Sequence, residues 1–249
     1  MAASVVVALK TLFSLLACVM FATLVWAIAM DGLASCVDLR ARWLFVAYIN
    51  FYINVAVIGV WFVYKESSWM RAVVLILLEI MFGSIITSGY IVIQLFKLSP
   101  EESSKDPLYF VLVKHEKRDA TGHTMGVSSV TSRIIISSLG CFMLGTFIYV
   151  LIVDGSPFRT QVFSTCMIGT LTDFYFNVVA LSVWVAYKES SWISAFLWIL
   201  SLVCFGSIGT CVYILRQNLT PQQPVSLVLF NNNKRDLSSD PLLMAHAIV

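Results

Sequence analysis

Long apolar runs, separated by short polar segments, dominate the pattern of this chain. Six runs reach the length of about 20 residues that an α-helix needs to cross the hydrocarbon core of a membrane. They cover residues 12–30, 43–64, 70–96, 134–153, 165–187 and 193–215. Proline interrupts none of them, so we expect six unbroken transmembrane helices and an all-α fold.

The composition supports the same class of protein. Hydrophobic residues make up 59% of the 249 residues and charged residues only 12%, with a mean hydropathy of +0.87. So few polar side chains cannot cover a globular surface in water. We therefore expect an integral, multi-pass protein in contact with membrane lipid, whose first run is too long for a cleaved signal peptide. The net charge of +2 includes no dense basic block, which argues against nucleic-acid binding.

The second half of the chain repeats the first. Asn54 and Asn177 lie 123 positions apart, as do Trp69 and Trp192, and residues 18–90 align with 141–213 without a gap. The alignment predicts four segments. These are a first three-helix repeat with a polar tail at 1–119, a linker at 120–132, a second such repeat at 133–236, and a disordered tail at 237–249.

Each repeat contains three apolar runs, and this odd number predicts how the two repeats are oriented in the membrane. If each repeat crosses the membrane three times, the second repeat lies upside down relative to the first. The sequence therefore predicts two inverted three-helix repeats. The Lys and Arg residues near the helix ends are balanced between the two sides, so they do not decide the orientation.

Both repeats contain the segment Tyr-Lys-Glu-Ser-Ser-Trp, at 64–69 and at 187–192. Lys65 and Lys188 suit the carboxyl end of one helix, and Glu66 and Glu189 suit the start of the next. The segment reads as an interfacial turn between two helices. A gate for a substrate is the alternative interpretation of these four charged residues.

Ionisable residues inside a membrane span are costly and are therefore candidates for function. Asp173 lies roughly 12 Å into the fifth run at 1.5 Å per residue, and Glu79 lies near the middle of the third. Asn177 shares a helix face with Asp173, and Asn50 and Asn54 repeat that pattern on the second run. We expect these five residues to form a binding site for a substrate or an ion. The alternatives are that the asparagines hydrogen-bond between helices and that the two acids are protonated and bonded internally.

Other chemistry has little support in the sequence. The six cysteines lie mostly in apolar runs without a CxxC pair, so we expect small buried hydrophobes and neither disulfides nor a metal site. The three histidines lie in the linker or the tail, and no catalytic or phosphate-binding motif is present. We expect no cofactor, and the pattern favours a non-enzymatic role.

The second repeat resembles a family of short, three-helix bacterial membrane proteins of unknown function. The residues that carry the resemblance are Asp173, Trp184, Glu189, Gly206, Ser207, Tyr213 and Arg216. The whole chain resembles a duplicated, plant-typical version of such proteins, also known only as a domain of unknown function. The resemblance implies that a homodimer of short units preceded the fused chain, and it leaves a homo-oligomer open. It also implies that Asn50 has replaced the acid in the first repeat.

Three functions follow from these observations. The first is a small carrier with a polar site at the membrane midplane, for a small molecule or ion that the sequence does not identify. The second is an intramembrane enzyme acting on a lipid or isoprenoid, with Asp173 or Glu79 as general acid. The third is a scaffold that binds partners through its Lys-Arg-Asp tails at 117–119 and 234–236.

Overall fold

The computed structural model describes residues 2–36, 41–66, 68–112, 129–159 and 163–218. Within these ranges the chain forms ten α-helices and no β-strand, which confirms the all-α prediction. In chain order the helices are α1 (Ala2–Ser35), α2 (Arg42–Lys65), α3 (Trp69–Phe82), α4 (Ser84–Phe96), α5 (Pro100–Lys105), α6 (Pro107–Leu112), α7 (Ser129–Asp154), α8 (Thr165–Lys188), α9 (Trp192–Phe205) and α10 (Ser207–Asn218). The predicted tail at 237–249 and most of the predicted linker at 120–132 lie outside the described residues.

Four of the described helices are long and apolar enough to cross a membrane. These spans are Ser4–Met30 in α1, Arg42–Lys65 (α2), Val130–Asp154 in α7 and Thr165–Lys188 (α8). Large apolar side chains cover the outer surface, where Trp192, Ile152 and Met70 are 90%, 78% and 76% exposed. An apolar exterior of this extent suits lipid, so the helices indicate a membrane protein.

The third and sixth apolar runs are each broken in two, contrary to the prediction of unbroken helices. A single glycine separates α3 from α4 and another separates α9 from α10. Gly83 has a φ of +61° and Gly206 a φ of +59°. Glycine adopts this backbone conformation readily because it has no Cβ. Glycine therefore causes both breaks. The prediction of unbroken helices rested on the absence of proline from these runs, and it did not take glycine into account.

After each break the chain returns to the end from which it came. The Tyr90 hydroxyl on α4 donates to Glu66 Oε1 at 2.6 Å, although Glu66 lies before α3. A straight continuation of α3 would carry Tyr90 roughly 30 Å from the start of α3, at 1.5 Å per residue. Tyr213 on α10 reaches Glu189 Oε1 in the same way, at 3.3 Å. We call α3 with α4 the first hairpin and α9 with α10 the second hairpin.

The two hairpins leave the prediction of six crossings in inverted repeats unconfirmed. That prediction counted residues 70–96 and 193–215 as one crossing each, because a returning hairpin is as apolar as a straight helix. Each repeat instead contributes two of the four long helices and one hairpin. Inversion of the second repeat requires an odd number of crossings per repeat, and two long helices per repeat do not support that number.

The two repeats pack around a central pair of helices. α2 packs against α8, and each outer helix packs against the returning arm of its own repeat, α1 on α4 and α7 on α10. Each returning arm also contacts the central helix of the other repeat, α4 on α8 and α10 on α2. Phe62 and its equivalent Val185 are fully buried in the shared apolar core. The hairpin of one repeat thus rests on the long helix of the other.

Covalent and ionic links join the repeats at one end of the bundle. Cys36, after α1, forms a disulfide with Cys166 in the first turn of α8, with the two Cα atoms 5.4 Å apart. Arg42 pairs with Asp154, 112 residues later in the chain, at 2.5 Å. The expectation of six unpaired cysteines is therefore wrong for this pair. We call this the disulfide end and the opposite end, where α2 and α8 finish, the hairpin end.

Candidate functional site

The turn of the first hairpin lies against Asp173 of α8. The backbone amide of Ser84, the first residue of α4, donates to Asp173 Oδ1 at 2.6 Å. The first amides of a helix have no partner within the helix, and a carboxylate there also interacts favourably with the helix dipole. The contact is so close that a Cβ on Gly83 would overlap the Asp173 carboxylate. Asp173 therefore caps a helix that belongs to the other repeat.

The second hairpin repeats this arrangement with a neutral cap. The amide of Ser207, the first residue of α10, donates to Asn50 Oδ1 at 2.7 Å. A Cβ on Gly206 would fall 2.6 Å from the Asn50 amide nitrogen. Asn50 and Asp173 are equivalent residues of the two repeats, and each caps the returning helix of the other repeat. They differ in that only Asp173 is an acid. The proposal that Asn50 hydrogen-bonds between helices is confirmed.

Glu79 lies one turn before the first break, completely buried. The Thr87 hydroxyl on the returning arm donates to Glu79 Oε1 at 2.6 Å. The Glu79 carbonyl accepts from the Gly83 amide at 2.8 Å, and Asp173 lies directly against Gly83, so both acids lie at the same turn. The hydrogen-bond partners of the two acids are Ser84 and Thr87, so the acids bond to other protein groups, Asp173 to a backbone amide, and not to each other. Their protonation stays a prediction.

Several buried polar atoms around the turns lack a hydrogen-bond partner within the described part of the chain. Asn54 and Asn177 are fully buried, and both atoms of each side-chain amide are unpartnered. The second Glu79 oxygen and the Ser84 and Ser207 hydroxyls are also unpartnered. A buried polar group without a partner costs about 1–3 kcal/mol. Among the described residues, Asn54 and Asn177 therefore make no side-chain hydrogen bond in good geometry that would link two helices.

The five predicted site residues divide between the two turns. Asn177 lies one turn after Asp173 on the same face of α8. The acidic cluster is our name for Glu79, Asp173, Asn177, Ser84 and Thr87. The equivalent positions at the second turn are Asn50, Asn54, Ser207, Thr210 and Leu202. Because Leu202 replaces Glu79, the Thr210 hydroxyl turns to the Gly206 carbonyl at 3.4 Å. We call this second set the neutral cluster.

The charged residues of the repeated turn segment hold the hairpins in place. Glu189 accepts from Ser194 Oγ at 2.6 Å and from Tyr213, and it pairs with Arg216 at 3.6 Å. Lys65 donates to the Phe110 carbonyl at 2.6 Å, which anchors α6 at the hairpin end.

These contacts give Lys65, Glu66 and Glu189 structural roles, and Lys188 is the last residue of α8. Ser68 and Ser191 occupy the N-cap positions of α3 and α9 but make no side-chain cap hydrogen bond. The interpretation of the segment as a gate stays a prediction.

Sequence reasoning missed the two glycine breaks. Gly83 and Gly206, each followed by serine, are interpreted from sequence as small residues that let helices approach. The available signal was a Gly-Ser pair at the centre of an apolar run, present in both repeats.

Comparison with known proteins agrees with the duplication. One family profile, described as "Protein of unknown function (DUF1475)", matches residues 1–119 and again residues 121–236. The chain belongs to this family. It contains two DUF1475 units, each with two long helices and one hairpin, and each unit caps the hairpin of the other. No curated protein and no solved structure matches the chain.

Proposed function

We propose that this DUF1475 protein is a small multi-pass membrane carrier whose substrate site lies at the turns of two re-entrant hairpins. The single observation that carries the proposal is the turn at Gly83. There a broken helix, capped by Asp173, meets a buried glutamate with an unpartnered oxygen. Discontinuous helices whose ends meet polar residues near the midplane are the substrate sites of many secondary transporters.

The proposal includes a membrane topology of four crossings. The arms of the first hairpin have 14 and 13 residues, so each is roughly 20 Å long and reaches past the middle of a hydrocarbon core of about 30 Å. Both hairpins open at the hairpin end and so enter from one face. The two repeats then have the same orientation, related by a two-fold axis along the membrane normal, as in transporters built from parallel repeats.

The disulfide indicates which end of the bundle faces which side of the membrane. Disulfides persist in oxidising compartments and are rare in the cytosol. The disulfide end, with Cys36 and Cys166, therefore faces the lumen or the exterior. The amino end of α1, the carboxyl end of α10 and the hairpin openings then face the cytosol.

The polar interior supports transport over a purely structural role. Backbone outside a helix is tolerated at membrane depth where it is buried in protein or lines a water-filled cavity. Asn54, Asn177 and Glu79 carry polar atoms that no described protein group satisfies. Water or a polar solute at these atoms would satisfy them.

Reconstituted protein tests the proposal directly. Full-length protein in liposomes is assayed for uptake of radioactive sodium and rubidium ions, and for the swelling rate in glycerol and urea. We expect at least one of these probes to move faster than in protein-free liposomes. We also expect Glu79→Gln to slow it, while Asp154→Asn, which removes an acid at the disulfide end, leaves it unchanged. Equal rates with and without protein for all four probes would contradict a carrier for small solutes.

A further inference from the structure

We propose that the acidic cluster binds one monovalent metal cation, Na⁺ or K⁺, between Glu79, Asp173 and Asn177. The inference deepens the proposed function, because it names the class of ligand for the same site. It also assigns different roles to the two turns, since the neutral cluster lacks both carboxylates.

The first argument is the charge balance. The Asp173 carboxylate lies at the amino terminus of α4, where the helix dipole supplies roughly half a positive charge. Glu79 receives only a neutral hydroxyl, from Thr87. Within the described ranges no Lys, Arg or His side chain forms an ion pair with either acid. An ionised Glu79 in this apolar interior needs a compensating positive charge, which one bound cation would supply.

The second argument is the set of unpartnered atoms. Among the described residues, one Glu79 oxygen and the Asn177 amide oxygen have no partner in hydrogen-bond geometry, and both residues are completely buried. Asn177 lies one turn after Asp173 on the same face of α8. Oxygen atoms of carboxylate, amide and hydroxyl groups are the ligands that hard cations prefer. The last carbonyls of a broken helix, here those of α3, commonly join such sites for Na⁺ in transporters.

The number of acids favours a monovalent ion over a divalent one. Ca²⁺ takes six to eight oxygen ligands, often from several carboxylates, and Mg²⁺ keeps much of its water. In the part of the chain that the structure describes, no three His, Cys, Asp or Glu side chains lie together as a metal site. Asp173 already accepts from Ser84, so Glu79 provides the free carboxylate oxygen.

The duplication supplies variants that keep the fold and remove the charge. Asn50 accepts from the Ser207 amide as Asp173 accepts from Ser84, so Asp173→Asn retains the helix cap. Leu202 occupies the position of Glu79 in the other repeat, so Glu79→Leu introduces the buried side chain that the equivalent position already holds. Asp154→Asn is the matched control, because it removes an acid that lies at the disulfide end and pairs with Arg42.

The test is equilibrium binding of radioactive sodium and rubidium ions to purified full-length protein, with choline as the inert ion. We expect saturable binding of one ion per chain. Asp173→Asn, Glu79→Gln and Glu79→Leu should each weaken binding at least tenfold, and Asp154→Asn should bind as the natural protein does. The preferred ion should also raise the thermal unfolding temperature of the natural protein and not that of the three cluster variants.

Three results would overturn the inference: no saturable binding of either ion, binding unchanged in all three cluster variants, or two ions per chain. Uptake of protons without binding of sodium or rubidium would also overturn it. The outcomes separate this inference from the carrier proposal. Ion binding without flux in liposomes would contradict the carrier proposal and support the cation site. Flux of a neutral solute without ion binding would support the carrier proposal and contradict the cation site.

Discussion

Asp173 of the second repeat accepts a hydrogen bond at 2.6 Å from the backbone amide of Ser84 in the first repeat. Asn50 of the first repeat does the same for Ser207 of the second, at 2.7 Å. Each repeat therefore completes the broken helix of the other. The acceptor that caps each returning helix comes from the other repeat. The two repeats therefore depend on each other for these caps.

The helix cap and the charge of Asp173 are separable by mutation. Asp173→Ala removes the acceptor for the Ser84 amide and should cost about 1 kcal/mol of stability, the usual value for a lost N-cap. Asp173→Asn should cost clearly less, because Asn50 performs this role in the other repeat. Thermal unfolding in detergent measures both. If the Asn variant is as unstable as the Ala variant, the cap depends on charge and the two turns are not equivalent.

Gly83 is required by its conformation and by its contact with Asp173. An added methyl group would overlap the carboxylate, and the φ of +61° is unfavourable for any other residue. We expect Gly83→Ala to lower the unfolding temperature and the yield of monodisperse protein. Gly89→Ala, also on the first hairpin, has open space around its Cβ position and should be neutral or slightly stabilising. Equal behaviour of the two variants would contradict the turn geometry.

The hydrogen bond from Tyr90 to Glu66 holds the returning arm of the first hairpin. Hydrogen bonds to charged groups contribute about 1.5–3 kcal/mol. A double-mutant cycle with Tyr90→Phe and Glu66→Gln should therefore show a coupling free energy of unfolding near the lower end of that range. Tyr149→Phe, on the exposed face of α7, provides the control and should change little. Additive effects of Tyr90→Phe and Glu66→Gln would show that the arm is held by other contacts.

The disulfide between Cys36 and Cys166 links the two repeats covalently. A protease site inserted between residues 113 and 128 would cut the chain between them. The two fragments should remain joined on a denaturing gel without reductant and separate when reductant is added. With Cys36→Ser they should separate without reductant, whereas Cys18→Ser should leave them joined because Cys18 is a free thiol. Separation of the natural fragments without reductant would contradict the disulfide.

Hydropathy and internal similarity predicted the helical class, the duplication, and the ends of α2 and α8 to within one residue. They failed at residues 70–96 and 193–215, because an apolar run has the same composition whether it crosses the membrane or turns back. The disulfide between Cys36 and Cys166 could not be predicted either, because sequence alone does not give disulfide connectivity and 130 residues separate the two cysteines.

The grouping of some candidate residues followed from the sequence, and their role as a binding site stays a prediction. Asp173, Glu79 and Asn177 follow from the cost of burying polar groups in a membrane, and they lie at one turn. Asn50 was assigned to the same site but caps the other hairpin. The exchange of caps between repeats depends on how α2 and α8 pack, which no pattern along one helix determines.

The side of the membrane on which the linker lies tests the central claim most directly. Epitope tags at the amino terminus, at the carboxyl terminus and between residues 120 and 128 are probed with protease and antibody in sealed vesicles. With four crossings and two re-entrant hairpins, all three tags lie on the same face and share one pattern of accessibility. A linker tag on the face opposite to both termini would restore six crossings and contradict the re-entrant hairpins.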